Sequence, residues 1–171
     1  MTISSLEKHI KTIEEIERIS NDLRISGKKI VTTNGSFDIM HSAHLSMLVR
    51  ARGEGDALIV LLNSDKSIQN NKGPLRPIIP EQQRALMLAG LKPVDYVVIF
   101  PQADPLEYLA RIKPDVHVKG GSYEPARVQK EEQLLRTWGG ICKYFKLESG
   151  LSSTDIIRTI LNRYGSSGKA P

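Results

Sequence analysis

Hydrophobic and polar positions repeat along this chain with two periods, and the change from one to the other marks its elements. In the first 26 residues Ile3, Leu6, Ile10, Ile13, Ile16, Ile19 and Leu23 fall three or four apart, with Glu and Lys between them. That spacing predicts one N-terminal amphipathic helix. Ser4 and Glu7 stand at capping-box spacing, and Gly27 offers a stop. Five short β-branched or aromatic runs follow, each bounded by Gly, Pro, Asn or Asp: KKIVTTN (28–34), DALIVLLNS (56–64), DYVVIF (95–100), DVHVKG (115–120) and GICKYFKL (140–147). These predict five strands. The gaps between them read as helices. Asp104-Pro105-Leu106-Glu107 supplies an N-cap, a proline at the first helical position and a reciprocal glutamate, and Pro114 stops that helix after Lys113. Pro80 opens PEQQRALMLAGL by the same logic, and SSTDIIRTILNRYG starts on hydroxyls that cap exposed backbone N–H groups.

Strand and helix alternating from 28 to 164 predict an α/β fold: a doubly wound, five-stranded parallel sheet with helices on both faces. The expected organisation is a helix over 1–27, one domain over 28–164 and a flexible tail, GSSGKAP, over 165–171. In open sheets of this kind ligands bind beyond the carboxyl ends of the strands. NGSFDIMHSAH follows the first strand, NSDKS the second, KGGSYEP the fourth and SGLSST the fifth, so the polar, Gly-rich segments converge on one edge.

Composition then removes several classes of function. A chain of 171 residues, 40% hydrophobic, can bury one sizeable core and is too short for two full α/β domains. Its net charge of +5 carries no dense basic block, which suits small anionic ligands rather than nucleic acid. Cys142 is the only cysteine, so there is no internal disulfide and no multi-cysteine zinc site, and a reducing cytoplasm is the expected location. No secretion signal is read, and no run approaches the ~18 apolar residues of a membrane span, so no membrane partner is expected. A phosphate-binding Gly-x4-Gly-Lys-Ser/Thr is absent, and Gly53-Glu54-Gly55 lacks the third glycine of a dinucleotide fingerprint. His41 and His44 are three apart with no glutamate between them, unlike the pair of a zinc-protease helix. Taken alone they leave open a metal pair, a helix cap beside a surface imidazole, and an anion site.

The surrounding motifs discriminate among these. TNGSFDIMHSAH resembles the NGxFDxxHxGH signature of the cytidylyltransferase-like nucleotidyltransferases, and LSSTDIIR resembles their C-terminal ISSTxIR-type motif. Within that family LLNSDKSI, KGPLRPIIPEQQR and PDVHVKGGSY are most similar to the adenylyltransferase domain of heptose 1-phosphate nucleotide synthesis, which feeds lipopolysaccharide core. The resemblance implies a Rossmann-like fold and a cytoplasmic, Mg²⁺-dependent enzyme. Such an enzyme would join ATP to a sugar 1-phosphate, D-glycero-beta-D-manno-heptose 1-phosphate, giving ADP-sugar and pyrophosphate. Two other readings stay open: a CTP-dependent transferase acting on glycerol 3-phosphate or a similar polyol phosphate, and a nucleotide-binding regulatory module without turnover. The partners implied are ATP and a sugar phosphate. The N-terminal helix would cover a sheet edge or form a homodimer contact.

The chemistry fits the residue types. A sugar phosphate is already anionic near pH 7, its second pKa being ~6, so attack needs no general base. The site must bring two polyanions into line and offset charge on the α-phosphate and the leaving pyrophosphate. By resemblance, His41 and His44 would hydrogen-bond the triphosphate at a helix start, and Lys72, Arg76 and Lys119 would complete the catalytic set. Lys72 and Arg76 alone would read as solvated surface in the loop NNKGPLRP. Lys119 ends a buried-looking strand, where an unpaired cation would be costly, and so favours a phosphate. Nucleotide binding would fall to Asn34, Gly35, Ser36, Phe37 and Asp38, to Ala43, Arg84 and Gly120, and to Ser152, Ser153 and Thr154. Asp38 reads as a metal ligand, as a residue that orients the site, or as an N-cap; Arg84 reads also as a surface ion pair, and the hydroxyls also as caps. Ala43 stands where the family has glycine, and its methyl would crowd ribose or base. Ser36 stands where the heptose branch commonly has cysteine, and Ser122 where it has aspartate. Tyr123 falls in a candidate ligand loop.

Overall fold

The computed structural model describes residues 2–120, 125–146 and 152–165. Gly121, Ser122, Tyr123 and tail residues 166–171 therefore lie outside the described residues. The five strands are β1 (Ile30–Gly35), β2 (Ala57–Asn63), β3 (Tyr96–Phe100), β4 (Val116–Gly120) and β5 (Ile141–Phe145). All pairs are parallel, in the order β3-β2-β1-β4-β5. Between them run α3 (Ser42–Arg52), α4 (Asp65–Lys72), α5 (Glu81–Ala89), α6 (Leu106–Ile112) and α7 (Pro125–Arg136), and α8 (Ser153–Tyr164) follows β5.

Strand side chains point alternately to the two faces, and here both faces are covered. On β2, Leu58, Val60 and Leu62 join Met47, Leu48 and Ala51 of α3 and Ala85 and Leu88 of α5 in one core cluster. Ile59 and Leu61 face the other way, into a cluster with Leu109 and Ile112 of α6 and Leu135 of α7. This double burial is why the central strand is a continuous apolar run. At α6 the expected capping box does not form: Pro105 is the N-cap rather than the first helical residue, and Glu107 accepts from Gln102 Nε2 instead of reciprocating. Asp104 Oδ1 accepts from Leu106 N–H at 3.2 Å, while Lys113 takes a left-handed φ of 50° before Pro114 as expected. Ser152 Oγ accepts from Asp155 N–H at the start of α8.

The N-terminal segment differs from the single helix expected. It forms α1 (Ile3–Glu7), capped by Thr2 rather than Ser4, and α2 (Ile13–Ile25), capped by Thr12 with Glu15 reciprocating. Residues between them leave the helix to pair with the edge strand β3: Lys11 N–H donates to Val97 O, and Val97 N–H donates to His9 O. Two backbone bonds to an otherwise open edge outweigh continuing the helical period, and the capping box then restarts it. The apolar stripe divides accordingly, with Leu6 and Ile10 packing on one core cluster and Ile13, Ile16, Ile19 and Leu23 on the other.

Strand order reverses at β1. The chain moves from β1 outward through β2 to β3, then returns to place β4 on the other side of β1. Connections leaving the carboxyl ends of β1 and β4 diverge there, which opens a crevice.

Candidate active site

A cavity of about 440 Å³ occupies that crevice. The loop after β1 contributes Asn34 to Asp38, His41 and His44; α4 and the loop after it contribute Lys72 and Arg76; β4 gives Lys119 and Gly120, and the start of α8 gives Ser152, Ser153 and Thr154. The sequence-derived set is thus brought to one place, except for Ala43 and Arg84.

The loop after β1 is tightly braced. Phe37 and Ile39 adopt positive φ values of 47° and 48°, which a non-glycine residue holds only when its surroundings enforce it. Asp38 between them is 1% exposed. Its Oδ2 accepts from Arg76 Nε at 2.8 Å, and its Oδ1 accepts from the N–H groups of Ile78 and Ile79 at 3.1 and 3.0 Å. Ser153 Oγ donates to the Asp38 carbonyl, tying α8 to the same turn. Burial alone would raise the Asp38 pKa, but the Ile79 and Ile78 N–H groups and the Arg76 guanidinium outweigh it and hold the carboxyl below the ordinary range. Neither the N-cap nor the metal-ligand reading of Asp38 fits this arrangement. The N-cap of α3 is His41, and both Asp38 oxygens are occupied by donors. A Cβ on Gly35 would lie 3.0 Å from the Phe37 ring, so this glycine makes room for Phe37. Phe37 itself is 3% exposed and packs on His44 as well as lining the cavity.

His41 and His44 stack with ring centroids 4.0 Å apart at the first turn of α3. His44 Nδ1 accepts from the His41 backbone N–H at 3.4 Å, which places the ring proton on Nε2. Burial first, then His41 and Lys72, push the His44 pKa down to about 4, and burial lowers that of His41. At neutral pH the cavity therefore meets a neutral N–H donor at His44. Lys72 is the last residue of α4 rather than a loop residue, and its Nζ donates to Ser36 Oγ at 3.3 Å. Burial and Arg76 lower its pKa.

Two sequence expectations need correction. Arg84 is neither a nucleotide contact nor a surface residue. It is 1% exposed and does not line the cavity, because Ile79 O, Ser36 O, Asn63 O and Asp65 Oδ1 take up its guanidinium donors. It braces the loops that carry the site. Ala43 is 4% exposed and absent from the cavity wall, so its methyl does not crowd a ligand. Ala43→Gly is accordingly expected to leave ATP affinity unchanged and to lower stability by up to about 1 kcal/mol. Nucleotide titration and denaturant melts of both proteins check this, and tighter ATP binding by the glycine variant would contradict it.

The reason given for Lys119 also changes. It is paired: Nζ lies 2.7 Å from Asn34 Oδ1 and 2.9 Å from the Glu131 carboxylate. Glu131 is 2% exposed, lines the cavity and was not foreseen. A signal for it existed. Val128, Glu131 and Leu135 are three and four apart, which sets a carboxylate on the apolar stripe of α7. Asn63 and Asp104 also line the cavity and were missed.

Among the described residues no group of three or more His, Cys, Asp or Glu could hold a metal ion. Both Asp38 oxygens already accept from Arg76, Ile78 and Ile79, so this carboxylate is not free to act as a ligand to Mg²⁺. A metal here would belong to the substrate, carried on nucleotide phosphates.

The depressed histidine pKa values set a stability prediction. His117, wholly buried on β4 with Thr32 Oγ1 at 2.8 Å from its Nδ1, is held well below the usual range by burial and by Lys119. Imidazoles that are neutral when folded but bind protons when unfolded make the unfolded chain the greater proton acceptor between pH 4 and 6.5. Stability should be complete above about pH 6.5 and fall as pH drops from there towards 4. Urea midpoints at pH 7.5 and 5 test this, and equal midpoints would contradict it.

The likeness to known proteins agrees with this geometry. The cytidylyltransferase-like family matches residues 32–159. The chain belongs to that family and is a nucleotidyltransferase. Over 93% of its length it is 43% identical to the bifunctional protein HldE of Syntrophotalea carbinolica, covering 31% of that protein, and over 92% it is 45% identical to HldE of Aliarcobacter butzleri, covering 32%. It thus spans about a third of the length of these curated relatives. A crystal structure of the lipopolysaccharide core biosynthesis protein of Thermoplasma volcanium superposes with a TM-score of 0.60 at 26% identity, over 73% of this chain and all of that one. The pantoate-beta-alanine ligase of Francisella tularensis, at 20% identity and a TM-score of 0.62 over 90% of this chain and 76% of that one, shares the fold. Among the described residues no helix is long and apolar enough to cross a membrane.

Proposed function

We propose that the chain transfers the adenylyl group of MgATP to a sugar 1-phosphate, D-glycero-beta-D-manno-heptose 1-phosphate, releasing pyrophosphate. The observation that supports this best is the donor set around the cavity. Stacked imidazoles at a helix start stand with Lys72, Arg76 and Lys119, while the buried carboxylates Asp38 and Glu131 are each paired with a protein cation. Such a site offers hydrogen-bond donors and positive charge to two phosphate-bearing substrates, and the reaction needs no general base. A sugar-phosphate oxygen attacks the α-phosphorus, the bond from that phosphorus to the bridging oxygen breaks, and the electron pair leaves with pyrophosphate. His44 Nε2–H and His41 would meet the charge developing on the leaving group, at the positive end of α3. Lys72 and Arg76 would hold the phosphates from the side of α4, and Lys119 from β4. Asn34 to Phe37, Gly120 and Ser152 to Thr154 would cradle the nucleotide. Mg²⁺ arrives with ATP.

The choice of ATP and of the heptose rests on the likeness of LLNSDKSI, KGPLRPIIPEQQR and PDVHVKGGSY to the heptose branch. The likeness to the lipopolysaccharide core biosynthesis protein of Thermoplasma volcanium is consistent with it. Pyrophosphate release with ATP and CTP, each against heptose 1-phosphate and glycerol 3-phosphate, tests the proposal. Release with ATP and heptose 1-phosphate is expected. Release confined to CTP and glycerol 3-phosphate, or nucleotide binding with no release from any pair, would overturn it.

A further inference from the structure

Glu131 has no part in the reaction as set out above, yet it is a carboxylate 2% exposed in the wall of a cavity fitted for polyanions. A lone carboxylate there would repel every substrate and be costly to bury. It lies 2.9 Å from Lys119 Nζ, and the same Nζ donates to Asn34 Oδ1 at 2.7 Å. Asn34 and Lys119 lie near the carboxyl ends of β1 and β4, the two strands that flank the topological switch. An ammonium has three N–H donors on a flexible four-carbon stem. With two donors fixed by acceptors on different elements, the direction of the third is fixed as well.

We infer that Glu131 is a positioning residue, which aims the remaining Lys119 N–H at the phosphate in the cavity and cancels one unit of its attraction for free nucleotide. This rests on the proposed nucleotidyl transfer, which supplies the phosphate that Lys119 meets. The two parts of the effect act in opposite directions. Removing the carboxylate charge raises the net positive charge of the cavity, so ground-state binding of a polyanion tightens. The same change weakens the hold on Nζ, because a neutral amide oxygen accepts from it less strongly than a carboxylate does, so the transition state meets a less well aligned donor. A residue that merely supported the fold would weaken both.

The test is a cycle of Glu131→Gln, Lys119→Ala and the double variant in the full chain, read by calorimetric MgATP titration, thermal melting and turnover. Glu131→Gln should tighten MgATP binding about fivefold, as expected for one added charge at this range. It should also lower kcat by about ten- to a hundredfold. Lys119→Ala should lose both kcat and melting temperature, because a buried carboxylate loses a counter-charge. The double variant should be no slower than Lys119→Ala and should melt higher than it. Multiplying kinetic losses in the double variant, or weaker MgATP binding by Glu131→Gln, would overturn the inference. The binding and melting arms need no turnover. If the wild type turns over no acceptor, the proposed reaction fails while the Glu131–Lys119 coupling is still decided.

Discussion

Replacing His44 by alanine is expected to lower turnover by about 10²–10³, the usual cost of losing one preorganised donor, while moving the denaturation midpoint little. The expectation follows from how the ring is held. Its Nδ1 is committed to the His41 N–H, which leaves Nε2–H for the cavity, and a pKa of about 4 keeps the ring neutral at pH 7. A neutral donor set at a helix start binds the ground-state triphosphate modestly and gains strength as charge moves onto the leaving pyrophosphate. Little stability is at stake, because the ring spans the boundary between core and cavity and replaces no buried ion pair. Steady-state rates and urea melts check both halves. Activity within a few-fold of wild type would remove His44 from the mechanism.

Arg84→Met should have the opposite profile, with a stability loss of several kcal/mol, at about 1–3 kcal/mol for each buried acceptor left unpaired. The Arg84 guanidinium joins the loop after β1, the end of β2, the loop before α5 and Asp65 of α4. Methionine fills much of the volume and satisfies none of those four acceptors. Arg84→Lys should rescue little, since a single ammonium cannot reproduce a planar fork spread over several acceptors. Chemical denaturation of the three proteins measures this, and a midpoint near wild type for Arg84→Met would show the brace to be dispensable.

Much of the fold was legible because period and punctuation agreed. Each of the five strands was a short β-branched run between breakers, and Pro80, Pro105 and Ser152 marked helix starts within a residue or two. The N-terminal segment was misjudged because Ile10 satisfies a helical stripe and an edge pairing equally well, and only the open edge of β3 decides between them. In the site, residue type and position were readable, but the partner of each charge was not. Arg84 sits among Ala85 and Leu88 in sequence and shows nothing of the four acceptors that enclose it. Lys119 was placed correctly at a strand end and Asp38 in the segment after the first strand, yet their partners Glu131 and Arg76 lie 12 and 38 residues away. Long-range pairing of that kind leaves no local pattern. A charge on an apolar stripe, as at Glu131, is the nearest thing to one.

Adenylyl transfer is tested by supplying MgATP labelled on the α-phosphate together with heptose 1-phosphate. The label is expected in ADP-heptose, with one unlabelled pyrophosphate released per labelled product and no phosphate transferred from the γ-position. Label recovered as AMP without sugar, transfer of the γ-phosphate, or no product with bound ATP would contradict it.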